Sequence, residues 1–339
     1  MIDAAALHHA VLTLDSHIDI PWPNGPDPFL LSDRRHVDLP KMRQGGLDAG
    51  CFVAYIPQGP RSPDGYQAAR DRVFAMLDEI NAMGRSEGDL TARICPVADT
   101  VEQAKRDGAL AVIPCVENGH AIGEDLSLLG TLRARGAIYV TLCHNGHNAL
   151  CDSANPRADL GDRATLHGGL SDLGKQAVRE MNRLGLLIDV SHASRQTMLQ
   201  ATQLSEVPVV ATHSCVHALS PHPRNLDDTQ LGALRDTGGL VQITAMPSFL
   251  RPNGRVETVG VADFVDHIDY VVRRCGLAHV GISSDFDGGG EISGWRNAAE
   301  SPNITAELVR RGYGEDEIRA LWGGNFLRLM RQAEAAASA

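Results

Sequence analysis

The chain has 339 residues, 43% hydrophobic and 22% charged, enough for two average domains or for one of the larger α/β barrels. A formal net charge of -11 argues against nucleic acid and against an anionic membrane surface as partners. The opening "MIDAAALHHAVLTLD" has no basic segment and no apolar stretch of signal-peptide length, no run approaches a membrane span, and "RQAEAAASA" reads as a fraying helix end, so a cytoplasmic protein is expected.

Seven cysteines, an odd number without CxxC spacing, fit buried thiols in a reducing compartment. Cys115, Cys143 and Cys215 fall near strand ends, but none has a second cysteine close by in sequence to form a thiolate metal site.

Short, β-branched apolar runs predict strands near 11–16, 50–56, 110–116 and 137–142. Four more follow near 186–190, 208–212, 239–244 and 279–283. "LAVIPCV", "LLIDV" and "LVQIT" are almost continuously apolar, as strands covered by helices are. Between them, 66–85 places Ala69, Val73, Met76, Leu77, Ile80 and Met83 at helical spacing. Residues 170–185 end in a glycine stop at Gly185. Further helical patterns cover 194–204, 227–237, 261–275 and 304–333. Eight strands with helical crossovers and no break in composition predict an α/β fold, a single-domain (β/α)8 TIM barrel over residues 1–339. Long loops at 21–46, 144–168 and 287–303 belong on its C-terminal face, where such barrels carry their chemistry.

The titratable groups collect at that face. His17 and Asp19 alternate to the same side of the first strand end. Glu117 ends the third strand, His144 and His147 follow the fourth, and His192, His213 and Asp285 end the fifth, sixth and eighth. Each alone has a bland explanation: a hydrogen-bonded structural histidine, a capping glutamate, an aspartate before a proline-rich loop. Together they would be costly to bury without a partner, and a cation or a catalytic network removes that cost. Three imidazoles with two carboxylates suit zinc or a similar divalent ion, and five ligands suit two ions about 3.5–4 Å apart if one carboxylate bridges. Lys41, Lys105 and Lys175 lie outside the predicted strands, so the bridge is acidic and Glu117 is best placed. GxGxxG after a strand, GxxxxGK[ST], GxSxG and HExxH are all absent, which argues against nucleotide cofactors and serine hydrolysis.

With "DSHIDIPW", "VENGH", "REMNRLGLLIDVSHAS", "ATHSC", "PRNLDD" and "SSDFDGG", the chain resembles the membrane (renal) dipeptidase family, peptidase family M19, among the amidohydrolase-type barrels, from about residue 12 to 332. The resemblance implies two Zn2+ ions per chain, one on His17 and Asp19, the other on His192 and His213, with Glu117 between them. It implies that His144 contacts the substrate carbonyl, Arg224 binds a free carboxylate and Asp285 serves as acid and base. The expected reaction is hydrolysis of a small dipeptide by a metal-bridging hydroxide, with a D-residue commonly accepted at the C-terminal position. Homodimers are common in the family. Arg224 could instead pair with Asp227 and Asp228, and the same scaffold also suits an N-acyl amino acid hydrolase, a lactonase, a deaminase or a barrel that keeps its metals as structure. Two departures fall on the substrate pocket: Met246 stands where renal-type members carry tyrosine, and the loop after His144 lacks a typical tryptophan although Asp152 keeps its place. His147 reads as a loop residue and His120 as, at most, a support.

Overall fold

The computed structural model describes residues 3–20 and 25–337, so Pro21 and Trp22 of "DSHIDIPW" lie outside the described residues. Eight parallel strands follow one another around a barrel: β1 Leu14–Asp19, β2 Ala49–Tyr55, β3 Leu110–Glu117, β4 Tyr139–Thr141, β5 Leu187–Asp189, β6 Val210–Ser214, β7 Leu240–Ile243 and β8 Val280–Ile282. The ring closes above β8, where the Asp285 amide donates to the Ile18-flanking carbonyl of His17 at 3.1 Å and the Asp19 amide to Phe286 at 3.0 Å. Asp15 fastens the same seam, its Oδ1 accepting from the amides of Ser284 (2.9 Å) and His17 (3.2 Å).

The lower half of the barrel is dry. Leu14, Ala49, Cys51, Val53, Ala111, Ile113, Leu187, Val210 and Leu240 fill it, and the helix Asn325–Ala336 plugs the N-terminal end with Phe326 and Met330. The outer helices lie where the apolar spacing put them. Ser171 caps Asp172–Leu184 through the Gly174 amide, and Gly185 ends it at φ 67°. Asp227 and Gln230 form a reciprocal cap on Asp228–Thr237.

The expected loop 21–46 contains a helix, Leu39–Gly45, and two further features differ from expectation. The pattern at 304–333 is not one helix: it divides into Pro302–Arg310, Glu315–Arg319, a π-helical turn Ala320–Gly324 and Asn325–Ala336. A left-handed Gly312 (φ 93°) makes the first break, and at Gly323 a Cβ would stand 2.9 Å from the Leu12 carbonyl oxygen, so the close approach to the entry of β1 requires glycine. An antiparallel ribbon, Ser86–Glu87 with Leu90–Ile94, was not expected because "SEGDLTARI" has no apolar run; its second strand extends the sheet beside the start of β3.

The N-terminal helix Ala4–Ala10 is pinned by His8, which is fully buried, 2.6 Å from Thr305 Oγ1 and 2.8 Å from the Gly45 carbonyl, with its ring edge-on to Trp322. Burial lowers its pKa to about 4. The unfolded chain therefore binds a proton near pH 6.5 that the folded chain refuses, and stability present above pH 6.5 is lost as pH falls toward 4, by on the order of 3 kcal/mol. His8→Gln should flatten that acid limb, read as urea midpoints between pH 4 and 7.

Candidate metal centre and substrate cleft

β1 and β6 each carry one extra residue relative to their neighbours. The register slips between Asp15 and Ile18 against β2, and between Ala211 and Ser214 against β7. Those two bulges hold His17 and His213, and a bulge re-aims a side chain off the regular alternation. His192 and Asp285 gain their direction differently, by left-handed backbone at φ 63° and 61°. Glu117 ends β3 on its inward face.

These devices bring together every strand-end group expected of the site and leave out His147, expected as a loop residue. Glu117 Oε1 lies 3.1 Å from His192 Nε2 and 3.3 Å from His213 Nε2, which are themselves 2.9 Å apart. Its Oε2 lies 3.6 Å from His17 Nε2, and Asp285 Oδ1 lies 4.0 Å from that same nitrogen. Ligand-capable atoms of His17, Asp19 and Glu117 fall within 4.8 Å of one another, as do those of Glu117, His144 and His192. Gly288 makes room for the acids: a Cβ there would stand 2.3 Å from Asp19 Oδ2 and 2.6 Å from Asp285 Oδ1.

Which nitrogen carries the proton follows from the far side of each ring. Tyr139 donates its hydroxyl to the Ser16 carbonyl (3.0 Å) and so accepts from His17 Nδ1 (3.0 Å). Thr212 donates to Asp189 (2.7 Å) and so accepts from His213 Nδ1 (3.0 Å). Asn145 Oδ1, which already accepts from Asn155, accepts from His192 Nδ1 (3.2 Å). With the Nδ1 protons committed outward, each Nε2 presents a lone pair inward, toward carboxylate oxygens. Among the described residues, His17 Nε2, Asp19 Oδ1 and Glu117 Oε1 find no hydrogen-bond partner although buried. A cluster of acceptors facing acceptors needs positive charge among them, so the donor set fits divalent cations.

The demand for positive charge shows at His17: burial opposes charge there, yet Glu117, Asp19 and Asp285 outweigh it and push its pKa up to about 10, so with no cation present the ring takes a second proton on Nε2, the nitrogen a cation would otherwise claim. Burial also works against the charged form of Glu117, but His17 and His144 hold its carboxyl well below the usual range. Burial, then the Glu117 charge, raises Asp19 well above its ordinary value. Burial lowers His213 to about 3 and His192 far below 6.5, keeping both neutral as ligands must be. Burial raises Asp285 to about 7.

A cleft of about 590 Å³ opens over the cluster, and both His144 and Arg224 line it. Arg224 does not pair with its sequence neighbours. Asp227 binds Arg195 (2.6 Å) and caps its helix, while Asp228 takes Arg274 and Tyr270. The Arg224 guanidinium is buried, donates to the His213 carbonyl (3.3 Å), leaves Nε without a partner and lies 5.4 Å over the Phe249 ring. Met246 lines the same cleft.

Other residues sort out of it. His147 bonds the Ser153 amide and the Arg163 carbonyl, and Asp152 gathers the amides of Leu166, His167 and Gly169, so both shape the 144–170 loop. His120 sits beneath Gln58 (3.1 Å). The seven cysteines are free, and Lys41, Lys105 and Lys175 are helical. Tyr139, Asp189 and Thr212 escaped the sequence reading; only the aspartate inside "LLIDVSH", a charge in an otherwise apolar strand, signalled them.

A model of the family described as membrane dipeptidase (peptidase family M19) matches residues 1–339. The chain belongs to that family. Over 304 residues it is 33% identical to dipeptidase tcpJ of Claviceps purpurea, covering 88% of this chain and 69% of that protein. The fold matches the probable dipeptidase PvdM from Pseudomonas aeruginosa with a TM-score of 0.90 at 29% identity, over 98% of each chain. It matches a metallo peptidase from Rhodobacter sphaeroides, liganded with a phosphinate mimic of the dipeptide L-Ala-D-Ala, with a TM-score of 0.83 at 27% identity, over 95% of this chain and 99% of that one. Among the described residues of this M19 chain, no helix is long and apolar enough to cross a membrane.

Asp189 accepts from Thr141 (2.6 Å) as well as from Thr212, and its other oxygen accepts the amides of Ser191 and Thr212. Asp189→Asn puts an amide donor where an acceptor is needed. It should weaken metal affinity roughly 10- to 100-fold, measured by competition with a calibrated chelator.

Proposed function

We propose that the protein is a binuclear zinc dipeptidase, built as one domain over residues 1–339 and accepting a D-residue at the C-terminal position. The observation that carries this reading is Arg224. A buried guanidinium without a carboxylate partner is costly, and it stands across a small cleft from an acid and imidazole cluster suited to cations. A short substrate with a free carboxylate satisfies it through a planar, bidentate grip. The dipeptide mimic carried by the Rhodobacter sphaeroides relative supports the same substrate class and the tolerance of a D-residue.

His17 and Asp19 would hold one zinc, His192 and His213 the other, with Glu117 shared. The two ions would supply Lewis acidity to an attacking water and to the scissile carbonyl. The chain's own groups do the rest. Burial keeps His144 neutral, so its ring N–H is available to donate to the carbonyl oxygen as negative charge develops there. Asp285, with its pKa raised by burial to about 7, takes the proton from the nucleophile and hands it to the departing amine. Arg224 fixes the carboxyl end, so the scissile bond falls over the acids only when the substrate is short.

The zinc-loaded protein should release both amino acids from simple dipeptides and lose that activity on dialysis against a chelator. Arg224→Ala should lower kcat/KM about 10²- to 10³-fold, the usual effect of removing one partner of a buried charge pair. Asp285→Asn should lower kcat at least roughly 10²-fold while metal content stays at wild-type level. A zinc-replete protein that cleaves no member of a broad dipeptide panel refutes the proposal. Unchanged turnover in Arg224→Ala points to a different bond.

A further inference from the structure

The two ends of the cleft are made of different chemistry. Around the barrel, the loop after β2 stands opposite the loop after β6, and the loop after β7 lies beside the latter. On the β2 side and along the β4 loop the lining is polar, with Tyr55, Arg72, Asn145 and Asn155. On the other side stand Met246, Phe249 and His222, next to Arg224. Phe249 joins that wall together: the His222 ring packs on it at 4.4 Å between centroids and the Arg224 guanidinium at 5.4 Å.

His222 is turned so that it adds little polarity. Its Nδ1 accepts the Arg224 amide at 3.2 Å, and burial lowers its pKa, so a neutral ring face covers Phe249. Met246 is flexible and polarisable, and backs onto Gly289, where a Cβ would come within 2.9 Å of its methyl carbon. The backing holds the thioether toward the cleft.

Taking the carboxylate grip of Arg224 as proposed above, we infer that the substrate residue bearing the free carboxylate presents a large apolar side chain, aromatic or long aliphatic, to the wall formed by Met246, Phe249 and His222. The two groups cannot be separated: whichever residue has its carboxylate on Arg224 has its Cα within one side chain's reach of Phe249. In the reverse orientation the apolar side chain would face Tyr55, Arg72 and the asparagines, and the Arg224 guanidinium would lose its partner. Small or charged side chains at that residue leave the wall either unfilled or facing an unpaired charge.

The test is a series of Ala–X dipeptides with X as Gly, Ala, Leu, Met, Phe, Glu or Lys, each in L and D forms, assayed with zinc-loaded wild type and with Met246→Ala. Leu, Met and Phe should exceed Gly and Glu by about 10- to 100-fold in kcat/KM, the range for filling an apolar pocket. Met246→Ala should shrink the Met-to-Gly ratio by roughly 10-fold, mainly through KM. Phe249→Leu, which preserves bulk, serves as a second variant and should reduce the preference for Phe more than for Leu. Hydrolysis of the series with no bias toward apolar X, or a bias that survives both substitutions, overturns this inference and leaves the dipeptidase reading standing. Failure to cleave any member of the series overturns both.

Discussion

The molecule is organised around one electrostatic problem: buried acceptor atoms that face each other. Glu117, Asp19 and Asp285 meet the Nε2 faces of His17, His192 and His213 at the floor of the cleft. In a medium of low dielectric such a cluster is strongly unfavourable unless positive charge enters it. The rest of the upper barrel works to keep it in that state. Tyr139, Thr212 with Asp189, and Asn145 each take a ring proton away from the centre, so a neutral imidazole cannot relieve the conflict by turning its one N–H inward.

Holding the groups there requires departures from regular structure. Two β-bulges carry His17 and His213, and four of the five described non-glycine residues with positive φ are Asn118, His192, Asp285 and Asp287, all at the ends of barrel strands. Such conformations cost about 1–3 kcal/mol each and persist only where surrounding structure over-determines them. Here the dry lower barrel, plugged by the C-terminal helix, supplies that support, while the polar upper half carries the chemistry.

Much of this was legible in the sequence. The strands are short, apolar and bounded, so their period and spacing located all eight, and the acids and histidines at their ends identified the cluster. Bulges were not legible, because an extra residue leaves no mark in composition; His17 and His213 could be placed at the mouth but not aimed. The ring-proton acceptors were hidden for a related reason, since threonine and tyrosine are ordinary strand residues. The C-terminal helical pattern misled because Gly312 and Gly323 are dictated by tertiary contacts, not by the periodicity around them. Arg224 was ambiguous in sequence, and the engagement of Asp227 and Asp228 elsewhere removes the pairing with its sequence neighbours.

The seam between the first and last strands has a bearing on how the protein matures. His17 and Asp19 arrive with the first strand, whereas Asp285 is joined to them only when the eighth is in place, through the amide contacts of Asp285 and Asp19. A chain emerging from the ribosome thus holds an incomplete set of acids until almost all of it has been synthesised. Completion of the acidic pocket becomes a late event, coupled to ring closure, and a barrel that unzips at this junction would part Asp285 from His17 and Asp19.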